Sequence, residues 1–111
     1  MYNYFMLMGR VVKDPEVKQL NDGKRVLNLK LAVNRSFPNS NGEYEVDFFN
    51  IVFWEFLVDY ANDNLKKGSP VVVKGRMQNS KEELASGFNL NYPVLIGERI
   101  MLFNRNNKEN E

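Results

Sequence analysis

A small, partly open barrel of five β-strands, with one helix between the third and fourth, is the all-β fold that this sequence predicts. Three observations lead there. Apolar and polar residues alternate with period two in five separate segments. Between the third and fourth of these the spacing changes once to that of a helix. Clusters of Gly, Pro, Asn and Asp mark the turns.

The first strand runs from Tyr4 to Val12, and Lys13-Asp14-Pro15 ends it because proline has no N–H to donate to a ladder. A hairpin follows. The second strand is its long arm, Arg25 to Val33, which with the short arm Val17 to Leu20 flanks Asn21-Asp22-Gly23-Lys24, where glycine accepts a positive φ. In the second arm Leu27, Leu29, Leu31 and Val33 face the core, while Asn28, Lys30, Ala32 and Asn34 face outward. Pro38-Asn39-Ser40-Asn41-Gly42 reads as a long, mobile loop with Phe37 at its base.

The third strand, Glu43 to Trp54, sends Phe49, Ile51 and Phe53 to one side and Phe48, Asn50, Val52 and Trp54 to the other. The first set is core. Leu57, Tyr60, Ala61 and Leu65 then fall at helical spacing, with Lys66-Lys67-Gly68 expected as a cationic last turn and its glycine stop. Pro70 to Gln78 is the fourth strand, Asn79 to Tyr92 is expected as a loop, and Val94 to Phe103 is the fifth strand. Gly9, Gly75 and Gly97 are strand glycines at bends or close approaches. Residues 1–104 form the domain, and 105–111 a polar, disordered tail. This element order is that of an OB-fold.

At 111 residues and 43% hydrophobic, the chain supports one modest core. Without cysteine or histidine it has no disulfide, no thiolate or imidazole metal ligand and no Ser-His or Cys-His pair. An enzyme is therefore not expected, and neither is a cofactor. Glu43, Glu45 and Asp47 alternate on one strand and are the remaining candidates for holding a hard cation, against the plainer reading of solvated acids beside a loop. No apolar run approaches a membrane span and no signal peptide is evident, so a soluble cytoplasmic protein is expected.

Net charge is only +1, but its distribution is uneven. Bases dominate up to Arg35, acids alone occupy Ser36 to Asp63, and Lys66, Lys67, Lys74, Arg76 and Lys81 restore the positive sign. If the last block lies beside the first basic strands, the two make one positive stripe. The outward rings Phe48 and Trp54, with the amide of Asn50 between them, form either a second packing surface or a platform for unpaired bases. An amide suits bases and phosphates better than a dry interface, which favours the platform. Lys30, Arg35, Lys74 and Arg76 face outward on the same parities and would neutralise phosphates. Arg10, Lys13 and Lys18 are weaker candidates, and Tyr4, Met6 and Met8 read as core or subunit interface.

The segments GRVVKDPEVKQLNDGKRVLNLKLAV and DFFNIVFWEFLVDYANDNLKKGSPVVVKGRM, with the closing strand, resemble the bacterial and phage single-stranded DNA-binding protein family over its core OB domain. The G-x-x-x-x-D-P-E turn and the L-K-K-G-S helix end before V-x-V-x-G carry the resemblance. It implies sequence-independent binding of single-stranded DNA in replication, recombination and repair, as a homotetramer or dimer of dimers. It also implies base stacking on Phe37, Phe48 and Trp54, each matching a ring position of the family. The family's further stacking tryptophan has no counterpart near Lys81 and Glu82, where Phe88 or Tyr92 would substitute. The family's acidic C-terminal tip is not matched by NRNNKENE, which weighs against partners recruited through that tip. The alternative is an OB-fold protein-interaction module of the primosomal type, binding DNA weakly.

Overall fold

The computed structural model describes residues 1–103, so the expected tail at 105–111 lies outside the described residues. Six strands and one helix follow in the order β1 (Phe5–Val11), β2 (Glu16–Gln19), β3 (Arg25–Asn34), β4 (Val46–Trp54), α1 (Phe56–Asn64), β5 (Pro70–Glu83) and β6 (Asn89–Leu102). β1 joins both β5 and β3, so β1-β5-β6-β4-β3 close into a ring of five, and β2 extends β3 as the outer arm of its hairpin. All pairings are antiparallel except β4 with β6. The expected OB-fold is the observed one.

Period two explains the core. Leu27, Leu29 and Leu31 of β3, Ile51 and Phe53 of β4, and Val71 and Val73 of β5 are all fully buried, with Val58 and Ala61 of α1 closing one end. Phe49 lies at the looser end of its strand and is only half-buried. Strand crossings are tight enough to exclude side chains: a methyl group on Gly9 would overlap the Ala32 carbonyl, one on Gly75 the Ile96 carbonyl, and one on Gly97 the Phe53 ring.

Three hairpins share one turn chemistry. In each, a glycine with positive φ donates its N–H to the carbonyl three residues back: Gly23 to Leu20, Gly42 to Asn39 and Gly87 to Leu84. Each is a three-residue loop ending in a left-handed glycine. The third overturns the expected loop at Asn79 to Tyr92. Lys81 pairs with Asn91 and Glu83 with Asn89, so this region is a two-stranded arm around Ala85-Ser86-Gly87. The second makes the expected long loop an ordered hairpin end, where the Asn39 side chain accepts the N–H groups of Asn41 and Glu43. Strand β4 accordingly begins at Val46 rather than Glu43.

The helix also ends earlier than expected. Lys66 and Lys67 follow α1 in a turn closed by the Ser69 N–H on the Lys66 carbonyl, with Gly68 at φ 91° supplying the left-handed residue. They are not its last turn. Tyr4, Met6 and Met8 are exposed, which removes the core reading for them.

Candidate nucleic-acid interface

Residues directly opposite in neighbouring strands share a face, and the register fixes which outward side chains adjoin. On β3 and β4 the outward pairs are Trp54 with Val26, Val52 with Asn28, Asn50 with Lys30, and Phe48 with Ala32. Phe48 is 57% exposed and Trp54 37%. They lie six positions apart, which at strand rise is about 20 Å. Val26 has outward parity yet is nearly buried, consistent with the partly seated indole opposite it. The face is an open strip with a ring at each end and polar groups between.

Lys30 takes part directly. Its ammonium stands 5.5 Å from the centroid of the Phe48 ring, a cation–π contact that holds a positive charge against the exposed ring. Asn50 is exposed beside it. Across β6 the strip continues to Arg76: Val52 adjoins Ile96, and Ile96 is opposite Arg76. There the guanidinium donates to Glu98 at 2.8 Å and to the Gln78 side chain at 3.1 Å, so its charge is largely answered within the protein. Lys74 adjoins Met6 on one side and Arg99 on the other, in the row that leads to β1 rather than β4.

Arg35 is held differently from the expectation of a free phosphate ligand. Its Nε and Nη2 donate to both oxygens of Asp47 at 3.0 Å, and Nη1 lies 3.3 Å from Glu45. Hydrogen bonding to Arg35 holds the Asp47 carboxyl below its ordinary pKa. Glu45 also accepts from Asn39 at 3.2 Å. Two of the three acids considered for a cation, Glu45 and Asp47, thus already hold a guanidinium, and the group braces the base of the 35–45 hairpin. Phe37 stands at its edge, 82% exposed.

The β5–β6 arm has one apolar face. Register puts Tyr92 opposite Ser80 and Leu90 opposite Glu82, with Phe88 bonded to Leu84 at the turn; the reverse face carries Asn79, Lys81, Glu83, Asn89, Asn91 and Pro93. The apolar face continues that of Arg76 and Ile96, and Phe88 is 63% exposed on it. Tyr92 is exposed as well, rather than packed inward. Phe56 is a ring outside the expected set: 83% exposed at the start of α1, it follows Glu55, whose φ of 56° turns the chain out of β4. Its signal was present in the i, i+4 pair Phe56 and Tyr60, which helical spacing places opposite Val58, Ala61 and Leu65.

Residues 2–102 match the model of the single-strand binding protein family. Among curated proteins, single-stranded DNA-binding protein B of Bacillus subtilis is 36% identical over 100 residues, which is 90% of this chain and 88% of that protein. Single-stranded DNA-binding protein 2 of Listeria monocytogenes is 36% identical over 111 residues, covering 100% of this chain and 69% of that protein. Single-stranded DNA-binding protein A of Bacillus subtilis is 42% identical over 87 residues, or 78% of this chain and 51% of that protein.

Proposed function

The chain belongs to the single-strand binding protein family, and on that premise we propose that it binds single-stranded DNA without sequence preference, in replication, recombination or repair. One observation carries the reading: the outward face of β3 and β4 joins two exposed rings to a lysine and an amide. Rings offer flat surfaces to any base, while cations neutralise the backbone and release counterions. Binding without sequence choice follows. A duplex keeps its base faces stacked on one another, so single strands are preferred.

Phe48 and Trp54 stack on bases, with Lys30 serving the phosphate between them and Asn50 a base edge or phosphate. Phe37 and Phe88 extend the path at the two hairpin ends, and Tyr92 on the arm's apolar face takes the part of the ring missing near Glu82. Arg76 and Arg35 contribute less than a free cation would, since they must first loosen from their carboxylates, and Lys74 serves the backbone from the row beside β1. The protein acts by binding alone, in the cytoplasm, as a homotetramer built from two dimers.

Titrating a labelled oligo-dT with the protein at low and high salt, beside a duplex of equal length, tests this. Tight binding of the single strand that weakens with salt is expected. Equal affinity for duplex, or none for either, would contradict it.

A further inference from the structure

The charges that the aromatic face leaves unused gather at one end of the barrel. The turn after α1 is clipped to the end of β1: the Gly68 N–H donates to the Val11 carbonyl at 2.8 Å, and the Val11 N–H to the Ser69 carbonyl at 2.9 Å. The Arg10 guanidinium donates to the Gly68 carbonyl at 3.2 Å, and the Lys67 N–H to Asp14 Oδ1 at 2.8 Å. These bonds bring Arg10, Lys13, Lys66 and Lys67 together from segments far apart in sequence, all exposed. Asp14 is the only acid within the two segments, and Asp63 and Glu16 belong to the flanking elements. None of the four cations enters an ion pair among the described residues.

This corner is continuous with the face already described. Arg10 of β1 is opposite Ala32 of β3, and Ala32 is opposite Phe48 of β4. Two long side chains thus flank a single methyl group across two strand spacings, about 10 Å. Nearby, the Val12 N–H donates to the Lys30 carbonyl at 2.9 Å, tying the segment before Lys13 to the strand that carries Lys30. A chain leaving Phe48 has an uncrowded step over Ala32 to Arg10, and beyond it Lys13, Lys66 and Lys67 outnumber the one acid, Asp14.

We propose that Arg10, Lys13, Lys66 and Lys67 form a second leg of the binding path, which holds the sugar-phosphate backbone of the same strand by charge alone, without stacking. The proposal rests on the β4 reading above and adds a direction to it: the strand runs from Trp54 past Phe48 and over β1 to the turn after α1. No ring lies within these two segments, so the leg adds salt-dependent affinity and occluded length but no base contact.

The experiment compares the whole protein with a Lys13→Ala/Lys66→Ala/Lys67→Ala variant, by anisotropy of labelled oligo-dT at about 8 and about 35 nucleotides. The three lysines are exposed, and Lys66 and Lys67 bond within the turn only through their backbone, so the melting temperature should be unchanged. The short oligonucleotide, filling only the aromatic face, should bind both proteins alike. With the long one, affinity should fall about tenfold or more at low salt, and the log-log salt slope by about 2, since each phosphate on a single strand releases about 0.7 counterion. An unchanged slope with the long strand, or an equal loss with both lengths, overturns the second leg while leaving the β4 reading intact. Failure of the unaltered protein to bind even the short strand overturns both.

Discussion

At the scale of single residues, parity on β4 separates binding from folding. Phe53 is fully buried against Gly97, so Phe53→Ala should cost about 3 to 5 kcal/mol of stability through its cavity. Chemical denaturation measures that loss. Phe48→Ala should leave stability nearly unchanged and remove about 1 to 3 kcal/mol of binding at a stacked base. Trp54 is more deeply seated, beside the nearly buried Val26. Its alanine variant should therefore lose a similar amount of binding and also melt slightly early, though far less than Phe53→Ala. Inward and outward residues were legible because alternation is local. Ion pairing was not: Arg35 and Asp47 are 12 positions apart, Arg25 and Asp59 are 34 apart, and only the folded chain, with α1 against β3 in the second case, brings each pair together.

At the scale of elements, α1 is tied to β3 by the two hydrogen bonds of Arg25 to Asp59, at 2.8 and 2.9 Å. These bonds hold the Asp59 carboxyl below its ordinary 3.8, chiefly by hydrogen bonding and then by charge, and Arg35 does the same for Asp47. A lowered carboxyl pKa stabilises the fold above the ordinary value, and that contribution disappears as pH falls through the lowered one. The melting temperature of the unaltered protein should therefore drop more as the pH is lowered below about 4 than that of an Asp47→Asn/Asp59→Asn variant. Parallel acid titrations with equal slopes would contradict this. Gly97→Ala tests the barrel crossing: a methyl pressed on the Phe53 ring should destabilise by about 1 to 3 kcal/mol or more. The β5–β6 arm was the element least legible beforehand. Asn79, Ser80, Glu82 and Glu83 are poor strand formers, and their pairing is imposed by the turn at Gly87 and the opposite strand. The clue available was the period-two row Phe88, Leu90 and Tyr92, together with a Ser-Gly pair matching the other two glycine turns.

At the scale of the whole molecule, element order alone was enough to anticipate an OB-fold, because one helix between the third and fourth of five strands restricts the topology strongly. Closure was not readable in that way. The parallel contact of β4 with β6 rests on Ile51–Leu95 and Val52–Ile96, and that of β1 with β3 on Arg10–Ala32 and Val11–Leu31, all distant in sequence. Because β1 pairs with β3 only there, the other edge of Phe5–Gly9 has no neighbour among the described strands, and Met6 and Met8 stand exposed beside it. Open edges and apolar side chains are covered in stable proteins. Light scattering at micromolar concentration should give a mass near four times the 13.0 kDa chain, and a monomer would remove the tetramer.

Trp54 is the only tryptophan in the chain and lies on the face assigned to DNA, so its fluorescence reports on the central claim without interference. Oligo-dT added at low salt should quench it in a saturable manner, the quenching should weaken in Phe48→Ala, and duplex of the same length should have little effect. Saturated binding seen by anisotropy with no change in Trp54 emission would contradict the account, because the strand would then be held elsewhere and the outer face of β4 would be a packing surface.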